Sequence, residues 1–467
     1  MLFTSYEFLF LFLPLVFTFY FFVVPKKFKL IFIFLSSSIF YGVWSFKFLP
    51  LLILTIFTDF HLGKAIGNSN DPVFKKRMVN FSVVLNLTFL GFFKYFNFFL
   101  DNTNAIFQLM GISPLSGIGE IILPLGISFY TFQSMSYTID VYRSKFKPYE
   151  DFLPFAAYVT FFPHLIAGPI VRHSEMVNQL SESTQKSFNL DFAARGLVFF
   201  IIGMSKKILI ADNIAASINP VIGNMNIATT LEAWACALGY TFQLYFDFSG
   251  YTDMAIGLGL IFGVKFPQNF NSPYKSVSIT DFWRRWHMTL SFWLRDYLYI
   301  SLGGNRLGAK RTYLNLFLTM LLGGLWHGAS WTFVLWGGFH GALLALEKKL
   351  GLDKATKFKK LQIFITFLLV VIGWVMFRAE HLDLMCLWLK KMFVFEAGGL
   401  SHFTARTRDR FAIAFVVGAG IVWFAKNTTE IDQGLKPSKV LAICLAIIFF
   451  ISVLFLGSDS PFLYFQF

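Results

Sequence analysis

Charge, cysteine and any mark of a cleaved leader are scarce in this sequence. Only 14% of the 467 residues are charged, against about 25% in soluble domains, which excludes an ordinary soluble enzyme or a disordered tail. The three cysteines, Cys236, Cys386 and Cys444, lie far apart inside apolar runs. They have neither metal-ligand spacing nor an even-numbered disulfide framework, so no metal site is expected and they read as small core residues. The first 24 residues carry no basic opening and no small-residue cleavage site, which argues for a retained first span rather than a signal peptide. No fixed period and no pair of matching halves is visible, and this weakens a generic transporter reading.

What the chain does have is 56% hydrophobic residues, 63 of them Phe, gathered in runs of about 20, the length that crosses a hydrocarbon core of about 30 Å. Apolar stretches from the first 24 residues to 439–456 predict an all-α polytopic membrane protein. It is read as one domain over 1–467 with about 11–13 full or partial crossings. The excess of 40 Lys+Arg over 26 Asp+Glu, a net +14, then sets topology and faces anionic membrane lipid; no nucleic-acid partner is expected. Basic clusters at Lys26, Lys27 and Lys29, at Lys75, Lys76 and Arg77, and at Lys348–Lys360 mark cytoplasmic loops, whereas 101–119 has no Lys or Arg. The N-terminus is therefore predicted to be extracytoplasmic.

Polar groups in such a field cost about 2.5–3.5 kcal/mol for each Asp, Lys or Arg at a helix centre, so each needs a reason. In Asp281–Tyr297, helical spacing puts Arg284, His287, Ser291 and Arg295 on one seam and Trp283, Trp286, Leu290, Trp293, Leu294 and Tyr297 opposite it. That predicts an amphipathic helix at the interface, with His287 the residue an interfacial role explains least. In Leu321–Trp331, His327 lies inside an apolar hairpin flanked by glycines, open to a core role or a catalytic one. His340 projects roughly 220° away on a continuous helix and reads as structural. Asp247 and Asp253, in the segment Gln243–Asp253 that precedes Pro267–Pro273, are expected to pair with Arg284 or Arg285.

Five motifs then carry a resemblance that covers essentially the whole chain: Leu123-Pro-Leu-Gly-Ile-Ser-Phe-Tyr-Thr-Phe-Gln133, Phe161-Phe-Pro-His-Leu-Ile-Ala-Gly-Pro169, Tyr245-Phe-Asp-Phe-Ser-Gly-Tyr251, Phe282-Trp-Arg-Arg-Trp-His287 and Leu325-Trp-His-Gly328. The sequence resembles the bacterial membrane-bound O-acyltransferases, in the alginate and peptidoglycan O-acetyltransferase branch. The resemblance implies an MBOAT fold whose helices surround a central tunnel in the bacterial inner membrane. It implies acetyl-CoA as cytoplasmic donor substrate, with no bound cofactor, a cell-envelope polysaccharide as final acceptor and a periplasmic acetyltransferase partner. His327 matches the catalytic histidine and His287 its companion. Arg284, Arg285 and Lys310 are placed to meet the donor's phosphates, and lipid headgroups explain them equally well.

The ending Ser460-Pro-Phe-Leu-Tyr-Phe-Gln-Phe467 is similar to the C-terminal aromatic motif of the small partner protein in teichoic-acid D-alanylation, which makes Tyr464 an acyl carrier; the alternative is an aromatic interface anchor. Phe-, Lys- and Ile-heavy usage points to an AT-rich genome and favours peptidoglycan over alginate as acceptor. The competing function class is a polysaccharide or lipid-linked sugar exporter.

Overall fold

Every regular element among the described residues is a helix, as expected of a chain that must satisfy its backbone polar groups inside lipid. The computed structural model describes residues 1–119, 121–457 and 463. Three stretches, Lys26–Asn68, Pro72–Leu109 and Lys359–Arg378, are long and apolar enough to cross a membrane, and shorter apolar helices occupy Phe8–Val23 and Lys439–Leu454. Their outward residues are apolar too: Phe22, Phe46, Phe99, Phe424 and Phe450 are all exposed. Apolar surface this extensive is solvated by lipid tails rather than water.

The chain forms two units. The first, Met1–Leu197 with Ala255–Pro267, is held by buried polar pairings between helices. Asp59 of Leu49–Asn68 accepts from Ser82 Oγ at 2.6 Å and Asn86 Nδ2 at 2.8 Å. Gln133 Nε2 lies 2.8 Å from His164 Nδ1, and His164 Nε2 lies 2.9 Å from the Tyr158 carbonyl. Two of the five sequence motifs thus meet here, inside the first unit.

The second unit, Val198–Met254 with Gln268–Phe467, contains both histidines singled out above. Its frame depends on glycines where backbones touch. A Cβ at Gly203 would collide with the Gly250 carbonyl oxygen, and one at Gly250 would lie 2.6 Å from that of Gly203. This approach brings Lys206–Ala211, a π-helical turn, against the carboxylates of Thr230–Ile261; such turns concentrate at functional sites.

Ala309–His327 and Trp331–Leu350 form the predicted hairpin, with Gly328 extended at the break and Ser330 Oγ accepting from Thr332 N. Gly324 and Gly337 cross here: a Cβ on Gly324 would collide with the Phe333 carbonyl oxygen and sit 2.9 Å from the Gly337 Cα. Gly324→Ala is therefore expected to destabilise the protein by about 1–3 kcal/mol despite the better helix propensity of alanine, read as a lower thermal midpoint in detergent.

Two expectations change. Cys236 is buried, but Cys386 and Cys444 are exposed, because Leu382–Phe393 and Lys439–Leu454 pack only one face inward and turn the other outward. The helix carrying His327 does not continue to His340, so the angular argument between them lapses at Gly328.

Candidate active site

The segment expected to be one amphipathic helix is two short ones, Ile279–Trp283 and Met288–Trp293, broken at His287. Glu347 anchors the first: its carboxylate accepts from Ile279 N at 2.6 Å and from Thr280 N at 2.9 Å, a negative group on a helix N-terminus. The apolar face is as predicted, with Trp283, Trp286, Leu290, Trp293, Leu294 and Tyr297 all buried. The polar seam is not: Arg284 and Arg295 are exposed, while His287 is 0% exposed. The cause is backbone, since His287 has φ 43° and ψ 52°, a left-handed conformation that turns its ring away from the arginines. A non-glycine residue held there stores strain, which concentrates at functional sites.

Its neighbours hold that shape. Asn269, fully buried, accepts from Thr289 N and Thr289 Oγ1 through its side chain and from Met288 N through its carbonyl. His287 is the N-cap of the second helix, and its Nδ1 accepts from Leu290 N at 3.2 Å. That bond decides the tautomer: an Nδ1 that accepts carries no proton, so the neutral ring has its N–H at Nε2. In that tautomer the His287 N–H points from Nε2, on the side of the ring away from the helix it caps. The Phe248 ring, from the Tyr245–Tyr251 motif, lies 4.7 Å from it, centroid to centroid.

His327 is the last residue of Ala309–His327 and is 6% exposed. Its ring packs against Trp326 at 5.0 Å, Trp336 at 5.2 Å and Phe377 at 5.2 Å. Carbonyls at a helix C-terminus carry partial negative charge, which stabilises an imidazolium formed there during proton transfer. A continuous aromatic wall runs from this histidine to the other: Trp336 to Trp374 at 6.0 Å, Trp374 to Trp286 at 4.8 Å, Trp286 to Phe270 at 5.0 Å and Phe270 to Phe248 at 5.0 Å. The two histidines thus belong to one buried aromatic interior of the second unit. His340 sits beyond Trp336, with Nδ1 accepting from Trp283 Nε1 at 3.3 Å, a structural place as expected.

The remaining predicted residues divide. Arg284 and Lys310 are exposed. Arg285 is half-buried and bound to Asp281, Nε to Oδ1 at 2.9 Å. Tyr464 lies outside the described residues.

Asp247 and Asp253 do not pair with Arg284 or Arg285. Asp253 Oδ2 meets Lys206 Nζ at 2.6 Å, and both meet Thr428 Oγ1. Asp247 Oδ1 meets Lys207 Nζ at 2.7 Å, and the same ammonium meets Asp212 at 2.6 Å. The sequence reading missed both lysines. Their signal was present: two adjacent ammonium groups inside the apolar run 196–212 demand carboxylates, and Asp247 and Asp253 are six residues apart on another apolar helix.

Two buried histidines lie in the interior of a helical body whose outer surface is apolar, and comparison with known proteins gives the class of protein. The model of the MBOAT, membrane-bound O-acyltransferase family, matches residues 138–388. A "probable alginate O-acetylase AlgI" of Azotobacter vinelandii is 43% identical over the full length of both chains. A peptidoglycan O-acetyltransferase of Helicobacter pylori is 37% identical over all of this chain and 98% of its own. A teichoic acid D-alanyltransferase of Bacillus subtilis is 31% identical over 47% of this chain and 58% of its own. The chain belongs to the membrane-bound O-acyltransferase family. It is an acyltransferase, and the exporter alternative falls with that match.

Proposed function

We propose that this enzyme moves an acetyl group from cytoplasmic acetyl-CoA to a cell-envelope polysaccharide, with the acyl transfer centred on His327 and His287. The observation that carries the reading is the pair of buried histidines on one aromatic wall, one at a helix end and the other fixed as an Nε2–H donor. His327 acts as general base and takes the proton of the attacking hydroxyl. His287 donates its Nε2–H to the thioester carbonyl oxygen, where negative charge grows as the tetrahedral intermediate forms. Collapse breaks the C–S bond, and the His327 imidazolium returns its proton to the CoA thiolate.

The first acceptor in this reading is the phenol of Tyr464. With a pKa of about 10, a phenol leaves far more readily than a sugar alcohol, so an acetyl-Tyr ester stays activated for a second transfer. A periplasmic acetyltransferase then passes the group to the polysaccharide hydroxyl. Arg284 and Lys310, exposed on the second unit, meet the donor's phosphates from the cytoplasmic side, with Arg285 behind them. The enzyme sits in the inner membrane with its N-terminus extracytoplasmic. The relatives are named for alginate and for peptidoglycan, and the polymer that loses acetyl when the protein is absent separates the two.

His287 offers a test that divides fold from chemistry. Asparagine tolerates the left-handed backbone and caps a helix well, but it has no donor where Nε2 stands. His287→Asn is expected to keep its thermal midpoint and to release thiol from acetyl-CoA about 10²–10³-fold more slowly. His287→Ala is expected to lose the cap as well, at about 1–2 kcal/mol of stability. Thiol release by His287→Asn at the wild-type rate removes the donor role.

A further inference from the structure

We propose that the Asp247 carboxylate is the point at which the chain's C-terminal end is held, through the backbone amide of residue 463. Leu463 N donates to Asp247 Oδ2 at 3.0 Å, and Leu463 is 5% exposed while Asp247 is 1% exposed. Both residues belong to the second unit. The contact is deep. Asp247 lies near the middle of the 32-residue helix Thr230–Ile261, about 20–25 Å from either end at 1.5 Å per residue.

Charge explains why a backbone N–H is held there. Lys207 Nζ serves two buried carboxylates at once, Asp212 and Asp247, at 2.6 and 2.7 Å. A buried carboxylate is expensive unless its oxygens meet charged or hydrogen-bonding partners. Asp247 Oδ1 faces the lysine and Oδ2 accepts from the Leu463 amide, so each oxygen of this carboxylate has its own donor. An amide donor to a carboxylate is among the stronger protein hydrogen bonds, and it reads the chain's backbone rather than a side chain. Asp247 is a positioning residue in this proposal: it fixes residue 463 against the middle of the helix Thr230–Ile261.

The contact at residue 463 stands apart from the carrier reading of Tyr464, whereas its effect on rate rests on that reading. The test is hydrogen–deuterium exchange of the full-length protein in detergent, resolved by mass spectrometry to the amide of residue 463. In the wild type that amide is expected to exchange at least about tenfold more slowly than in Asp247→Asn, with Thr230–Ile261 and Ala309–His327 equally protected in both. Equal exchange in the two, or exchange in the wild type as fast as in an unfolded peptide, overturns the docking.

A second variant leaves the charge cluster untouched. Leu463→Pro removes only the donor at 463 and is expected to lower acetyl transfer at least about tenfold, whereas Leu463→Ala keeps the N–H and retains more of the rate. Acetyl transfer by Leu463→Pro at or above the wild-type rate overturns the positioning role of this contact. The carrier reading fails separately: if labelled acetyl never appears on the wild-type tail while the 463 amide stays protected, the dock stands and the carrier does not.

Discussion

His327→Ala is expected to reduce acetyl transfer from acetyl-CoA by about 10²–10⁴-fold, the range for removing a positioned general base, while the purified protein keeps its helical content. His327 ends its helix and Gly328 breaks the chain immediately after it, so truncating the ring removes contacts with Trp336 and Phe377 and leaves the helix itself in place. His327→Gln, closer in size, is expected to be equally inactive, because an amide cannot take up a proton near neutral pH. Thiol release and acetyl transfer should fall together. A variant that still released thiol at the wild-type rate would place the base elsewhere.

The second large effect is on stability. Lys207→Met leaves Asp247 and Asp212 buried without the ammonium that serves both, and breaking one side of a buried ion pair costs about 3–5 kcal/mol. The variant is expected to express poorly in the membrane and to melt well below the wild type. Adding Asp247→Asn and Asp212→Asn should restore much of the loss, since a buried cluster replaced as a whole is often close to neutral. Thermal midpoints of the single and triple variants in one detergent measure this. A triple variant no more stable than Lys207→Met alone would mean that the lysine contributes packing rather than charge. A restored triple variant is still expected to be slow in acetyl transfer, because the amide of residue 463 has lost its carboxylate.

Much of the architecture was legible in the sequence because lipid imposes simple rules. Apolar runs, basic clusters and glycines between Leu321 and Trp331 led directly to the helical hairpin that ends at His327. The buried face of Trp283, Trp286 and Leu290 was legible from spacing alone. What spacing could not reveal is the break at His287. A period of 3.6 residues assumes a continuous helix, and a single residue at φ 43° swung the histidine from the predicted polar seam into the core.

The ion pairs were misassigned for a different reason. Arg284 and Arg285 are near the carboxylates in no sense that sequence measures, and arginine is the cation one expects beside a buried carboxylate. The true partners, Lys206 and Lys207, are brought in by the Gly203–Gly250 contact, a long-range packing event. Exposure of Cys386 and Cys444 was missed because an apolar run in a membrane protein faces lipid as readily as it faces the core.

The most direct measurement of the central claim is to give purified wild-type protein acetyl-CoA labelled in the acetyl group, quench, and locate the label by mass spectrometry alongside His327→Ala. The account predicts stoichiometric free CoA thiol and label on Tyr464 in the wild type, with neither in His327→Ala. Thiol release that persists in His327→Ala, or label that remains on the protein after Tyr464→Phe, would contradict it.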